Sequence, residues 1–587
     1  MTIAPHDNSA VDPKGDFSVA EIFAVRGMNT NDSPMSLNTE EMTVFNNFEL
    51  GPRYIRRRPG SALLGTDPGS ITKVIGLGHL EQDSGNTLLF LGNNGDLYKY
   101  SSGSWSVSDK TNYDITNDAN IVTFTSKSGA SLESGTSTSG TTKYIIEDSS
   151  KTWVPGAYKN RCVVIRGETK FILDNTVTTL YLSDRLNRDT DSDYQTQAYN
   201  IYAVSPFAFI ANGVDYVQKY NLTTHVPLDG THVTSGEALS LFRYLAQHQG
   251  RLWAARGIAN DNDRVFISDQ AIGEQFTKDT NLNVNLALLN DGDEVTGIAS
   301  LPLREGSVLL VTKNESVHSV EGTTVLDYAV HARFSKSGCI APKTLKVSGR
   351  SAFMLGFDGV LRFSGDGTSD LLQKPIPISE PIKGDLDDFS EAQKRAACAE
   401  VWNNKYHLCI GTSMYVYDIV ESIRREQHIW SKYTFPWSFH VLHAMGNSLY
   451  GGSATSGQVY QLFTTDNDDS DARIFATLET PWITFPGAPT GILDRVELMV
   501  DPDEAEDECV FRIAVAVDGG SYGTWITATI DEALGVYKFL IKETGTMFKI
   551  KLLDNFEDDP LRIAMPIRLF YSIGSFGPRD TKADLAI

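Results

Sequence analysis

The sequence predicts a mainly β protein: a β-propeller of about six to eight blades, a small inserted β domain, and a C-terminal antiparallel β-sandwich or barrel. The main observation is a recurring hairpin, in which an apolar run enters a Gly/Asn/Asp turn and continues as an alternating aromatic strand. About seven such hairpins follow at roughly 45 to 50 residues per step once one long insertion is removed, which is the spacing of propeller blades. Helical periodicity is rare between them. A long array of β-sandwiches with unrelated hairpins is the competing architecture.

The clearest hairpins turn at residues 93–96, 358–359 and 456–457, and weaker copies occur at intervals between them. A single hairpin is marginally stable in water and needs neighbours to cover its apolar face. Closing a stack of hairpins into a ring leaves only short, protected strand edges. The repeat therefore favours a closed ring of small sheets.

Four segments follow in chain order. Residues 1–40 are rich in Asp, Asn, Ser, Pro and Gly, which predicts an extended N-terminal arm. The propeller is expected at 41–111 and 204–465. Residues 112–203 begin with a Ser/Thr/Gly-rich tract and continue as short strands, which predicts a small inserted β domain. Insertions in repeat folds collect on one face, which is often the binding face.

An acidic loop at 466–471 marks the last boundary. Beyond it, residues 466–587 contain longer alternating strands separated by turns such as 518–520. This pattern is typical of antiparallel pairing and predicts a separate C-terminal β domain.

Net charge limits the partners of this chain. The 587 residues contain 74 Asp and Glu against 51 Lys and Arg, a formal net charge of -23. Tight binding of nucleic acid needs basic surface, so a tightly held nucleic acid is not expected. A negative surface instead lets a polyanion pass without adhering, although plain solubility explains the same charge.

Cellular location is predicted from the apolar and cysteine patterns. No apolar run has the length of a membrane span, and the polar start of the chain is unlike a signal peptide, so no membrane span and no secretion are expected. Five scattered cysteines without Cys-x-x-Cys spacing are interpreted as reduced core residues.

Motifs for catalysis are not found: the sequence has no phosphate-binding Gly loop, no Ser elbow and no His-Glu-x-x-His pattern. We therefore expect no enzyme and no cofactor. Asp189, Asp191 and Asp193 alternate as calcium ligands can, but they lack the Gly and Glu of an EF-hand loop, so they are only weak metal candidates. The isolated histidines, such as His407 and His440, are interpreted as structural.

A basic cluster stands out in so acidic a chain. It consists of Arg53, Arg56, Arg57 and Arg58. We predict that it contacts a neighbouring subunit or another protein. The alternatives are an exposed edge strand that charge protects from aggregation, or a contact to a phosphate backbone.

Several short stretches carry a resemblance to a known family. In order, they are residues 46–51 with 58–60, the Trp-bearing hairpin 251–255, and the segments 263–269, 291–298 and 356–360. Together these stretches resemble the tail hub or nozzle proteins of short-tailed bacteriophages. The likeness covers roughly residues 46–463 and, more loosely, the C-terminal domain.

The resemblance implies a structural virion protein that forms a ring-shaped homo-oligomer, a hexamer, at the end of the tail. Such a ring would continue the portal–adaptor channel, retain packaged double-stranded DNA and conduct it during ejection without binding it specifically. Its further partners would be the tail adaptor or portal-proximal protein and the tail fibres or tail needle. The protein would reside in the virion tail after assembly in the host cytoplasm. An acidic loop would then be a candidate lining of the channel: Asp501, Asp503, Glu504, Glu506, Asp507 and Glu508.

Two other functions are compatible with a propeller. A carbohydrate-binding or glycan-degrading propeller adhesin would place exposed aromatic side chains beside carboxylates at the blade axis. A cellular scaffold propeller would be a monomer that forms no ring.

Overall fold

Strands dominate the computed structural model, which describes residues 18–24, 26–69, 71–82, 85–110, 118–183, 186, 190–229, 242–256, 264–270, 272–274, 276, 285–287, 293–304, 306–323, 327–365, 374–485, 490–500, 511–531, 534–554 and 562–573. Helices in this part of the chain are short. They are α1 (Lys383–Asp387), α2 (Glu391–Arg395) and α3 (Ile419–Arg425), with 3-10 segments at Asp191–Tyr194, Pro342–Thr344 and Glu380–Ile382. The predicted mainly β class is confirmed.

The first strands lie outside the ring of blades or complete it. They are β1 (Ser18–Ile22), β2 (Val44–Asn46), β3 (Phe48–Leu50), β4 (Tyr54–Arg57) and β5 (Ser61–Leu63). Blade 1 follows as β6 (Val74–Leu80), β7 (Thr87–Gly92), β8 (Asp96–Ser101) and β9 (Ser104–Lys110).

Blade 2 is interrupted by the insertion. The strands of this region are β10 (Asn120–Thr136), β11 (Ile145–Glu147), β12 (Cys162–Ile165), β13 (Glu168–Asn175), β14 (Thr179–Leu182), β15 (Ala198–Ala211), β16 (Gln218–Tyr220) and β17 (His225–Pro227). Strands β10 and β15 to β17 form the blade, while β11 to β14 belong to the insertion. Blade 3 consists of β18 (Phe242–His248), β19 (Arg251–Arg256), β20 (Arg264–Ile267) and β21 (Asn285–Ala287).

The remaining blades follow without long insertions. Blade 4 consists of β22 (Val295–Pro302), β23 (Ser307–Lys313), β24 (Ser316–Glu321) and β25 (Ala329–Ser335), and blade 5 of β26 (Lys346–Ser348), β27 (Ser351–Gly356), β28 (Gly359–Ser364) and β29 (Ile376–Pro377). Blade 6 consists of β30 (Cys398–Trp402), β31 (Lys405–Ile410), β32 (Ser413–Asp418) and β33 (Trp430–Thr434). Blade 7 contains β34 (Phe439–Met445), β35 (Ser448–Ser453) and β36 (Val459–Leu462), and β5 from the start of the chain completes it.

The blades form a closed ring. The first strand of each blade contacts the first strand of the next, and β34 of blade 7 contacts β6 of blade 1. Strand β5 pairs antiparallel with β36, so that an early segment closes the last blade. Blades 1, 3, 4 and 5 are separate four-stranded sheets. Blades 2, 6 and 7 are four-stranded units within larger sheets, and with them the ring has seven members.

Apolar side chains fill the spaces between neighbouring blades. One buried cluster joins Leu89 of blade 1 to Ile210 of blade 2, and another joins Phe90 of blade 1 to Val459 of blade 7. Comparable clusters join blades 2 and 3, 3 and 4, 4 and 5, and 6 and 7. Each hairpin thus buries its faces against its neighbours, as the repeat predicted.

The insertion has a core of its own. Trp153, Tyr194 and Tyr199 belong to this buried cluster, together with aliphatic residues of β11 to β15. The long strands β10 and β15 pair along their whole length, with irregular register near Ser128 and Glu133 where they leave the blade. The insertion is therefore an extension of blade 2 that packs around a second core.

Most of the last strands form a β-sandwich, but β37 (Asp468–Asp469) and β38 (Ala472–Arg473) extend the sheet of blade 7. The sandwich strands are β39 (Ala476–Glu479), β40 (Ile483–Thr484), β41 (Gly491–Val500), β42 (Phe511–Val517), β43 (Ile526–Thr527), β44 (Thr529–Asp531), β45 (Val536–Gly545), β46 (Met547–Asp554) and β47 (Ile563–Ile573). One sheet has the order β3-β4-β47-β41-β45-β44 with β1 also on β47, and the other contains β2, β39, β46, β42, β43 and β40. A large shared core lies between the two sheets.

Early strands are part of this sandwich. The sequence placed residues 41–60 in the propeller, but β2, β3 and β4 lie in that range and pair with the sandwich sheets. Strand β1, in the predicted arm, pairs along β47 from Ser18 to Ile22. The hydrophobic alternation of these short strands does not reveal which distant strand they pair with, so the boundary was misplaced. Strand β2 also pairs with β33, which joins the sandwich to blade 6.

Candidate functional site: the propeller axis

A cavity of about 210 Å³ lies where the first strands of the seven blades meet. The walls come from β6, β10, β18, β22, β26, β30 and β34 and from the 3-10 segment before β26. Close approach of these strands requires small residues: a Cβ on Gly78 of β6 would lie 2.7 Å from the Cβ of Ile121 of β10. The cavity is thus a product of ring closure rather than of any single motif.

Charged side chains cluster at one side of the cavity. The carboxylate of Asp118 lies 3.1 Å from Nζ of Lys343 and 3.7 Å from Nζ of Lys73, and it is also bonded to Nε2 of His440. Burial alone would raise the pKa of Asp118, but the His440 bond and the two lysine charges outweigh it and hold that pKa well below its ordinary value. Asp118 is therefore a stable anion between two cations.

For the lysine and the histidine of this cluster, burial is the dominant influence on the pKa. Burial lowers the pKa of Lys343, and the attraction of Asp118 offsets only part of that effect. Burial likewise lowers the pKa of His440, so the imidazole is neutral at pH 7 and donates to Asp118. The cluster thus carries one negative and two positive charges.

Further cations line the same cavity. Nζ of Lys346 lies 2.9 Å from Glu400, and Arg395, whose side chain is 43% exposed at the rim, pairs with Glu391. Arg243 has no carboxylate partner among the described residues; its guanidinium lies 5.6 Å from the ring centre of the adjacent Tyr244. The axis of this acidic protein is therefore locally positive.

Two histidines join blades 1 and 7 beside this cavity. Nδ1 of His79 lies 2.7 Å from Nε2 of His443, a hydrogen bond that requires at least one of the rings to be neutral. Burial lowers the pKa of both, and for His443 the proximity of His79 adds to the effect. The pair stabilises the contact between β6 and β34 in its neutral form.

The four arginines of the predicted basic cluster differ in their exposure to solvent. Arg53 is exposed, and Arg56 pairs with Glu49 at a partly exposed position. Arg57 and Arg58 are both buried, so they cannot contact a partner as predicted. Alternation along β4 places Arg57 inward, next to the carboxylate of Asp554 at 3.7 Å.

Arg58 links three parts of the chain. Its guanidinium makes two bonds with the carboxylate of Asp469, one of them 3.0 Å long, and donates to the carbonyl of Thr434 at 2.9 Å. Nε donates to Asn47 at 3.0 Å, and the planar group lies 4.1 Å from the ring centre of Phe435. This arginine joins the sandwich segment, blade 6 and the sheet of blade 7.

The aspartate candidates for calcium do not form a described site. Asp189 lies outside the described residues. Asp191 accepts from the backbone N–H of Lys143 at 2.9 Å, and Asp193 accepts from Thr190 at 2.8 Å. Across the part of the chain that the structure describes, no group of three or more His, Cys, Asp or Glu residues could hold a metal ion.

The other predicted site residues lie outside the described residues or are buried. The acidic loop candidates all lie outside the described residues: Asp501, Asp503, Glu504, Glu506, Asp507 and Glu508. His407 is buried in blade 6, and His440 belongs to the axial cluster rather than to an isolated structural position. Within the described ranges, no helix is long and apolar enough to cross a membrane.

Sequence reasoning missed the axial cavity. Lys73, Asp118, Lys343 and His440 are far apart in the chain and share no spacing. Each lies on or just before the first strand of a blade. A repeat alignment that marked polar residues at that position is the one signal that would have brought them together.

Comparisons with known proteins find only distant structural likeness. No protein-family model matches the chain, and no curated protein matches it. Among solved structures, the computationally designed Ika8 protein is 8% identical with a TM-score of 0.34, covering 68% of this chain and 99% of its own. BamB from Moraxella catarrhalis is 10% identical with a TM-score of 0.32, covering 71% and 94%. An exo-beta-1,3-galactanase from Phanerochaete chrysosporium is 10% identical with a TM-score of 0.23, covering 56% and 95%. Likeness this distant carries no argument about fold or function.

Proposed function

We propose that this protein is a structural component of a bacteriophage tail, a nozzle or hub ring that extends the portal–adaptor channel, retains packaged DNA and conducts it during ejection. The proposal starts from the short stretches that, in their order along the chain, resemble such proteins. Its support in the molecule is a propeller joined firmly to a sandwich and carrying an inserted module.

The observation that carries the proposal is the apolar surface of the inserted module. Several large apolar side chains of this module are exposed, among them Val154 at 72% and Tyr144 at 59%. The others are Leu132, Leu173, Val177 and Tyr181. Exposed apolar surface in a soluble protein marks contact with another macromolecule.

Local pairing brings several of these residues to one side. The backbone N–H of Trp153 donates to the carbonyl of Val177 at 2.8 Å, which holds Val154 near the turn between β13 and β14. Tyr181 lies opposite Ile145 and next to the bulge at Leu173, on the outer face of the small sheet. We name Val154, Leu173, Val177 and Tyr181 the module patch.

The narrow axis of the propeller determines where a conduit would run. A cavity of about 210 Å³ lined by seven strands admits a small molecule and no duplex. DNA would therefore pass between several copies of the chain rather than through one propeller. A net charge of -23 reduces adhesion of the polyanion to such a wall.

Ring formation tests the proposal directly. Native mass spectrometry and negative-stain imaging of the purified full chain are expected to show a closed ring with an open centre. Replacing Val154 and Leu173 by lysine is expected to convert the ring to folded monomers, since charge is costly to bury in an apolar contact.

The matched control is Val420→Lys on α3, a similarly exposed aliphatic residue far from the module patch in the chain. Near-UV circular dichroism verifies that each variant is folded. A wild-type chain that remains monomeric at high concentration and binds or hydrolyses glycans would contradict the nozzle proposal and favour the adhesin. If Val420→Lys abolished the ring to the same extent, the module patch would not be the contact that holds the ring together.

A further inference from the structure

The axial cavity carries uncompensated positive charge. Asp118 is shared by Lys73 and Lys343, so this group retains one positive charge. Lys346 and Arg395 are each neutralised by a glutamate. Arg243 adds a second positive charge that no described carboxylate neutralises.

An excess of positive charge at a largely buried position costs free energy, and the Lys343 side chain is only 17% exposed. Charged groups that lose water without gaining a partner destabilise the folded state. The chain as a whole is strongly acidic, so the excess of cations at this place is not a consequence of composition. A doubly charged anion between these groups would neutralise both charges and supply acceptors for the guanidinium and ammonium donors.

Cavity size and wall chemistry restrict the ligand further. A volume of about 210 Å³ is below the 300–1,000 Å³ typical of pockets for drug-sized ligands, which limits the occupant to a small molecule. Apolar walls face the cations and can contact a short carbon skeleton: Leu77, Ile121, Ile298, Leu345, Val441 and Leu442. The backbone N–H of Leu245 is already bonded to Asn120, whereas the cationic side chains of Arg243 and Lys343 line the cavity.

We propose that the axial cavity binds a small organic dianion, a phosphate monoester or a dicarboxylate. Its anionic oxygens contact Arg243 and Lys343, and its carbon skeleton lies against the apolar wall. Arg243 gives the main specificity because its planar guanidinium bonds two oxygens of one anionic group. This inference concerns one chain and is independent of ring formation.

Isothermal titration calorimetry on the purified full chain tests the site. Inorganic phosphate, glycerol 3-phosphate and succinate are titrated separately, and glycerol is the uncharged control. At least one of the phosphate or carboxylate arms is expected to bind at one site per chain, and the stronger arm identifies the class. Glycerol is expected not to bind.

Variants assign the binding to this cavity. Arg243→Gln is expected to weaken binding at least tenfold, the loss of one charge-assisted contact. Arg243→Lys keeps the positive charge but cannot bond two oxygens of one anionic group, so it is expected to lose less ligand affinity than Arg243→Gln. It also provides the measurement if the glutamine variant does not fold. The control is Arg166→Gln, an exposed arginine on the inserted module that is expected to bind as wild type.

Three results would overturn the proposal. They are no binding of any of the three anions at millimolar concentration, unchanged binding in both folded Arg243 variants, and equal weakening in Arg166→Gln. A ligand-dependent rise in melting temperature that disappears in Arg243→Gln would add support from a second method.

Discussion

Replacing Arg58 by glutamine is expected to destabilise the junction between propeller and sandwich far more than the same change two residues away. The side chains of Arg58 and Asp469 are 0% and 3% exposed, so Arg58→Gln leaves a buried carboxylate without its cation. Loss of one partner from a buried ion pair costs about 3–5 kcal/mol. The control is Arg56→Gln, whose pair with Glu49 is 31% and 23% exposed and is worth up to about 1 kcal/mol.

Hydrogen-exchange mass spectrometry is the suitable assay because a chain of several domains does not unfold in a single two-state step. A loss of about 3 kcal/mol accelerates exchange on the order of 100-fold in the peptides that cover β33 and β37. Exchange in the inserted module, which has a separate core, is expected to remain as in the wild type. Arg56→Gln is expected to change exchange in the junction less than tenfold.

A double variant separates charge from packing. Arg58→Met with Asp469→Asn removes both charges, and it is expected to recover part of the stability lost in Arg58→Gln because neither partner is then left buried and unpaired. Equal effects of Arg58→Gln and Arg56→Gln on the junction would refute this reasoning. A double variant less stable than Arg58→Gln would show that packing rather than charge dominates there.

Two further predictions concern a buried histidine and a buried tyrosine. Burial lowers the pKa of His407 to about 3, so the unfolded chain takes up a proton near pH 6.5 that the folded chain does not; this contribution to stability is present above pH 6.5 and is lost as pH falls toward 3. Exchange protection of the peptides that cover β31, corrected for the pH dependence of intrinsic exchange, is expected to decline from pH 7 to pH 5. His407→Phe is expected to reduce this decline by up to about 1.4 kcal/mol per pH unit, and an unchanged slope would contradict the assignment. Tyr199 donates to Asp148 at 2.8 Å inside the inserted module, and Tyr199→Phe is expected to cost about 1–3 kcal/mol in exchange protection of that module. The exposed Tyr181→Phe is the control, and an equal loss there would mean that the buried bond is not the cause.

Local patterns predicted the blades because each hairpin is defined within a few residues. The turn at 358–359 connects β27 and β28, and the turn at 456–457 lies between β35 and β36. Alternation also predicted the long strands of the sandwich, such as β41 and β46. These features depend on short-range pairing and on the side-chain period of a strand.

Pairing between strands that are far apart in the chain could not be predicted from the sequence. Nothing in Ser61–Leu63 indicates that it completes the blade of Val459–Leu462, because three residues of ordinary strand composition fit many partners. The arginine run at 56–58 illustrates the same limit: alternation turns Arg57 inward, and the carboxylates that accept Arg57 and Arg58 lie in the last quarter of the chain. The axial cavity depends on ring closure and had no local signal.

The pairing of β1 with β47 has a consequence for synthesis on the ribosome. Residues Ser18–Ile22 leave the exit tunnel long before their partner Ile567–Tyr571, which is translated roughly 550 residues later. Until then the early strands have an open edge, which is a template for pairing with other nascent chains. Polysomes that translate this message therefore hold many unfinished chains with the same unpaired edge, and we expect such chains to depend on a chaperone or on rapid translation to avoid aggregation.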